Sequence, residues 1–171
     1  TRKVRLMSLD EDFVSRVVTA FDKTVTETKK VPDLEGMERQ FRHHLAQFLL
    51  RDVLGWKGHY SIGEILDITC FDDENFPIIV IETKWGVKPT REIKEKLRTR
   101  IEELGSVKYG VFASERDFII YEYADYKLKE ITKVNVAEAT GVARGDYGLS
   151  EKGKRRVLKL EMLKRERLVW I

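Results

Sequence analysis

Apolar positions in the first third of the chain recur every three or four residues, the period that places side chains on one face of a helix. Leu9, Phe13, Val17, Phe21 and Val25 stand four apart, and Ser8-Leu9-Asp10-Glu11 has the S-x-x-E form of a capping box, so an amphipathic helix is expected over about 9–28. Val31-Pro32-Asp33-Leu34-Glu35-Gly36 is a turn-forming interruption. A second helix is expected over about 37–54, with Met37, Phe41, Leu45, Phe48, Leu49 and Leu54 on a broad apolar face and Gly55 as its terminator.

The period then shortens to two. Ile62–Phe71 alternates imperfectly, Asp72-Asp73-Glu74-Asn75 reads as a hairpin turn, and Pro77-Ile78-Ile79-Val80-Ile81 is a β-branched run suited to a strand covered on both faces. Pro89-Thr90 opens a helix that carries Ile93, Leu97, Ile101 and Leu104 along one side and closes at Gly105. Val107–Ser114 and Asp117–Tyr123 read as strands joined by a turn at Glu115-Arg116, followed by a short helix near 136–142 and a last helix from about Ser150. This order predicts an α/β domain with a central mixed sheet of four or more strands flanked by helices.

Composition narrows the class. With 171 residues, 42% of them hydrophobic, the chain has length for one core and too much apolar surface for a disordered segment. Apolar runs such as Ile78–Ile81 are far short of the roughly 20 residues a membrane helix needs, so no membrane association is expected. Cys70 is the only cysteine, which excludes an intramolecular disulfide and fits a cytoplasmic setting. The net charge of +3 is uneven: residues 146–171 hold 8 Lys+Arg against 4 Asp+Glu, and residues 1–145 hold 24 against 25. A catalytic body over 1–145, helical at 9–54 with a sheet core at about 60–125, is thus expected to be followed by a basic helix over 146–171. That helix could track phosphates, but a solvated linker to a further domain is the preferred reading, since the chain lacks an initiator Met and ends on Leu168-Val169-Trp170-Ile171.

The chemistry-bearing residues are Asp67, near the end of one strand, and Glu82 and Lys84, at the end of the next. Residues two apart in a strand share a face, and a hairpin turn at Asp72–Asn75 brings Asp67 beside them. Two carboxylates at the edge of an apolar sheet need a compensating charge: either an ion pair with Lys84 that holds the hairpin end, or a cation. Mg2+ takes one or two carboxylates and leaves room for water and a phosphate oxygen, a setting in which water near Lys84 can attack phosphorus.

In this context Met37-Glu38-Arg39-Gln40-Phe41-Arg42 running to Leu54-Gly55-Trp56, with Ile79-Val80-Ile81-Glu82-Thr83-Lys84, resembles the PD-(D/E)xK nuclease superfamily over about residues 30–125. More narrowly it resembles the N-terminal nuclease domain of type I restriction R subunits and of fused restriction–methylation enzymes. Leu66 stands where the superfamily motif has Pro, and the helix from Thr90 has no Gln, so the Gln-x-x-x-Tyr element of the type I branch is absent. The resemblance implies a restriction-endonuclease-like three-layer fold and Mg2+-dependent hydrolysis of double-stranded DNA, with Mn2+ able to substitute. It implies metal binding by Asp67, Glu82 and the carbonyl of Thr83, assistance to the attacking water by Lys84, and support from Glu38, with Glu35 a rival for that last role. It further implies covalently linked helicase, methyltransferase or specificity domains, and a dimer for double-strand cleavage. A repair or junction-resolving nuclease of the same superfamily, and a nuclease-like domain that only binds DNA or protein, are the alternatives.

Trp85, Lys88 and Arg91 follow the Glu-x-Lys element and suit contacts to phosphate or an unstacked base, or equally a capping Trp with two solvated cations. Glu64 falls on the opposite face of a regular strand from Asp67 and is a poor ligand candidate. His43, His44 and His59 have no zinc-ligand spacing, no phosphate-binding glycine loop is present, and Cys70 reads as a small core residue.

Overall fold

The computed structural model describes residues 2–63, 67–143, 145 and 148–169. Glu64, Leu66 and the Trp170-Ile171 end, on which expectations were placed, lie outside the described residues.

Helix α1 (Arg2–Lys29) buries Phe13, Val17, Phe21 and Val25 of the row spaced four apart, while Leu9, the first of that row, is exposed. It begins well before Ser8, so the capping-box pattern lies inside the helix. The residues upstream, Arg2-Lys3-Val4-Arg5-Leu6-Met7, are mostly good helix formers and extend it. Helix α2 (Leu34–Leu45) starts earlier than expected because Asp33 caps it, its Oδ1 accepting from the Gly36 amide at 2.6 Å. The turns that follow, Ala46–Arg51, widen to a π-helix, which buries Ala46, Leu49 and Leu50, before Gly55 takes a left-handed φ of 84°.

Six strands form one sheet in sequential order: β1 (Tyr60–Ile62), β2 (Ile68–Phe71), β3 (Pro77–Thr83), β4 (Tyr109–Ala113), β5 (Asp117–Ala124) and β6 (Lys127–Asn135). All neighbours are antiparallel except β3 and β4, which run parallel because helix α3 (Arg91–Leu104) connects them. Thr90 caps α3 by accepting from the Ile93 amide, and Gly105 ends it at φ 76°. The expected single strand over 62–71 is instead the β1–β2 hairpin. Strand β6 was not anticipated at all.

Alternation along the strands supplies two apolar layers. Ile79 and Ile81 join Leu45, Leu49, Trp56 and Phe118 under α1 and α2, while Val80 joins Leu97, Ile101, Phe112 and Ile119 under α3. The protein is therefore α/β, with a mixed sheet flanked by helices on both faces. No helix among the described residues is long and apolar enough to cross a membrane. A Cβ at Gly110 in β4 would stand 2.7 Å from Ile101 Cδ1 and 3.2 Å from Leu97 Cγ, so α3 lies close against the sheet there. Both neighbours are buried, and Gly110→Ala is expected to destabilise the fold by about 1–3 kcal/mol through overpacking, read as a lower urea midpoint with unchanged slope.

The basic C-terminal segment departs from the expected single solvated helix. After β6 comes the short helix α4 (Val136–Ala143), as expected, and the basic segment then forms α5 (Glu151–Leu158), a 3-10 turn (Lys159–Leu163) and α6 (Arg165–Leu168). Val157, Leu160, Leu163 and Val169 are buried in the main core, and Trp56 Nε1 donates to the Leu163 carbonyl at 2.8 Å. Lys152, Arg155, Arg156, Lys159 and Arg167 are exposed, while Lys164 and Arg165 are mostly covered and the apolar positions of the segment belong to the domain.

Candidate active site

Strand register builds the centre. Ile68 pairs with Ile81, and one further step along the antiparallel pair sets Asp67 opposite Glu82. Asp67 and Glu82 are each only 7% exposed. The Thr83 amide and hydroxyl both donate to Asp67 Oδ1, at 3.2 and 3.4 Å, so the carboxylate is tied to the end of β3. Burial pushes the Glu82 carboxyl up to about 8, helped by its hydrogen bond with Asp67 and by the Asp67 charge and opposed by Lys84 and Lys96. Like charges side by side in a dry setting favour keeping a proton on one of them.

The helix face contributes the rest. Glu38 and Arg42 lie four apart on α2 and therefore share a face. Lys84 Nζ is 3.6 Å from Glu38 Oε1 and 3.6 Å from Glu82 Oε1, bridging helix and strand. Its own amide donates to the Ala113 carbonyl at 3.0 Å, which extends the β3–β4 pairing one residue and fixes the backbone beneath it. Glu35 is exposed on the rim of a cavity of about 660 Å3 that Glu38 and Arg42 also line; the contact with Lys84 is made by Glu38.

Arg42 was not assigned a role from sequence, and it organises the site. Its Nε donates to Thr83 Oγ1 at 2.9 Å, Nη1 donates to the Gly63 carbonyl at 3.0 Å, and Nη2 lies 3.8 Å from Asp67 Oδ1. One buried guanidinium thus ties α2 to the β1 end, to Asp67 and to Thr83. The available signal was its position between Phe41 and Leu45, where a cation on an apolar helix face needs a partner.

The residues after the Glu-x-Lys element separate. Trp85 is half-buried, packs edge-on against Phe41 at 5.7 Å and leans on the main core, while Lys88 is exposed. Arg91 opens α3 on the side that lines a different cavity, of about 290 Å3, with Lys94, Arg98 and Tyr126. The cations that α3 brings next to Asp67 and Glu82 are Lys96 and Arg100.

His43 lines the cavity that Glu38 and Arg42 border, its neighbour His44 stacks on Phe48 and shares a hydrogen bond with Thr28, and His59 sits 3.9 Å from Asp73. Cys70 is fully buried and its thiol is pushed well above the usual range, which removes it as a nucleophile. Among the described residues no three His, Cys, Asp or Glu side chains are grouped to hold a metal ion. What the site does offer is the facing pair Asp67 and Glu82, an all-oxygen donor set at the end of one strand pair. That set fits a hard cation which requires only one or two carboxylates and keeps waters, and it would not suffice for a fully protein-caged metal. No family model, curated protein or solved structure matches the chain.

Proposed function

We propose that the chain is a metal-dependent nuclease domain that hydrolyses DNA phosphodiester bonds, the cleavage module of a restriction–modification enzyme with a restriction-endonuclease-like core. The observation that carries the reading is the convergence of Asp67, Glu82 and Lys84 at the end of the β2–β3 pair with Glu38 arriving from α2. The order α2, β1, β2, β3, α3, β4, with β4 parallel to β3, supports the same core.

Asp67, Glu82 and the Thr83 carbonyl would hold Mg2+ or Mn2+. Such a cation lowers the pKa of bound water and offsets negative charge developing on phosphate. The chain's own residues do the positioning. Arg42 and the Thr83 hydroxyl fix Asp67, and Glu38 holds the Lys84 ammonium at the mouth of the pair, where it would donate a hydrogen bond to the attacking water. Nicking of supercoiled plasmid with Mg2+ or Mn2+, absent in EDTA, tests the reading; no cleavage of linear, nicked or four-way DNA under any of these conditions refutes it.

One observation favours a second reading, a nuclease-like scaffold that binds DNA or protein without cleaving it. Lys84 stands against Glu82 and Glu38, and Arg42 against Asp67, so the carboxylates already have cationic partners. Calorimetry with Mn2+ separates the two readings, because only the nuclease requires binding.

Proton linkage gives an independent check. In metal-free protein the folded state holds a proton on Glu82 up to about pH 8 where an ordinary carboxyl, near 4.5, has lost it. The folded state then binds more protons than the unfolded one, so stability is expected to fall as pH rises from about 4.5 to 8 and to level off above. Glu82→Gln should flatten that part of the profile. Added Mg2+ or Mn2+ competes with this proton, so its increase in Tm should be larger at pH 8.5 than at pH 6 and should vanish in Glu82→Gln, as followed by thermal denaturation.

A further inference from the structure

Asp67 and Glu82 border a second, much smaller cavity on the α3 side of the sheet. Its volume is about 20 Å3, and Thr69, Val80, Leu97, Lys96 and Arg100 complete it. Lys96 and Arg100 are one helical turn apart, so α3 presents both to the same spot. Lys94 and Arg98, on the same helix, turn the other way: Lys94 sits over the Tyr121 ring and Arg98 pairs with Glu95 and Glu102.

Charge balance separates these two cations from the others at the site. With Glu82 keeping its proton, the Glu38 and Asp67 charges balance those of Lys84 and Arg42, and each of those cations is engaged within 3.8 Å, so neither is left over for a further anion. An anionic substrate needs positive charge beyond that. Among the described residues Lys96 is exposed and makes no ion pair, and Arg100 reaches only the exposed Glu103, at 3.8 Å. The cavity has room for about one water, so an incoming phosphate sits at its mouth, beside the exposed Lys96 and the partly exposed Arg100.

We propose that Lys96 and Arg100 form a phosphate-binding pair on α3 that anchors a backbone phosphate of DNA across the Asp67–Glu82 edge from Lys84. This rests on the nuclease reading and adds to it a second, cationic wall of the same site. Arg100, planar and five-donor, takes two phosphate oxygens side by side, and Lys96 adds a point charge. The two are binding residues, and the carboxylates and Lys84 remain the reacting edge.

The test is duplex-DNA binding by the full chain in EDTA, followed by fluorescence anisotropy across a KCl series, with plasmid nicking in Mg2+ alongside. Lys96→Gln and Arg100→Gln are each expected to shallow the slope of log K against log salt by about 0.9, the signature of one lost phosphate contact, with the double variant losing about twice that. Nicking should fall about tenfold in each, mainly through KM, and Lys96→Arg should restore both slope and rate. Lys94→Gln, which removes the same charge from the other side of α3, should leave the slope unchanged. Wild-type slopes in both variants, beside continued nicking by wild type, overturn the pair and leave the nuclease reading standing. Equal slope losses in Lys94→Gln reduce the effect to overall charge and also overturn it. A wild-type chain that neither binds nor nicks DNA removes the nuclease reading and this inference with it.

Discussion

Lys84→Ala is expected to lower Mg2+-dependent nicking by at least about a thousandfold while leaving the fold and its unfolding midpoint nearly unchanged, because it removes both an oriented donor and local positive charge. Lys84 is 29% exposed and its two ion pairs span 3.6 Å, so the pairs themselves contribute little to stability, on the order of 0–1 kcal/mol. Its removal bears on the carboxylates instead. The ammonium is the first of the two charges that hold the Glu82 carboxyl down, so without it Glu82 keeps its proton to still higher pH and competes less well for a cation. Glu82→Gln should be as damaging by a different route, replacing the carboxylate proposed to hold the metal by a neutral isostere in the same buried space. Glu38→Gln should cost about tenfold, since Glu38 acts only by holding Lys84. Circular dichroism that matches wild type beside undiminished nicking in Lys84→Ala would sink the assigned roles.

That centre was legible because a β-branched run ending in charge is rare in a buried strand: Ile78–Ile81 had to be sheet, and Glu82 and Lys84 had to lie at its end. Register then did what spacing cannot, setting Asp67 opposite Glu82. Three features stayed hidden for physical reasons. Strand β1 has only three residues, too few to show alternation. Strand β6 is joined to β5 by Asp125-Tyr126, which take left-handed φ values of 52° and 63° without a glycine, so the hairpin carries no turn signal. Its ladder also shifts register opposite Ile120/Tyr121, which breaks the two-residue period. Arg42, Lys96 and Arg100 are single charges on helices, indistinguishable from solvated neighbours until the sheet shows which helix face meets which strand end. The DNA contacts chosen by proximity in sequence, Trp85, Lys88 and Arg91, do not share one surface: Trp85 is half-buried against the core, Lys88 is exposed and Arg91 lines a separate cavity.

The C-terminal segment invites the second large effect. Removing residues 151–171 is expected to abolish cooperative folding, although composition alone reads that stretch as a basic linker. Val157, Leu160, Leu163 and Val169 are each 7% exposed or less, and burying such side chains contributes roughly 1.5–3 kcal/mol apiece. Their loss removes a sum comparable to the whole stability of an ordinary domain, about 5–15 kcal/mol. It would also uncover Trp56, whose ring is wholly buried and whose indole donor has the Leu163 carbonyl as its partner. Arg165 N to Leu54 O, at 2.9 Å, and Thr132 Oγ1 to Arg156 O, at 3.1 Å, fasten the segment at two further points. Trp56→Ala isolates the joint without truncation and is expected to destabilise by about 3–5 kcal/mol. Trp56→Phe keeps most of the ring volume but orphans the buried carbonyl, for about 1–3 kcal/mol. Urea titration orders the three, truncation beyond Trp56→Ala beyond Trp56→Phe. A truncated chain that unfolds cooperatively at the wild-type midpoint would return the segment to the status of a linker and move the domain boundary back before Ser150.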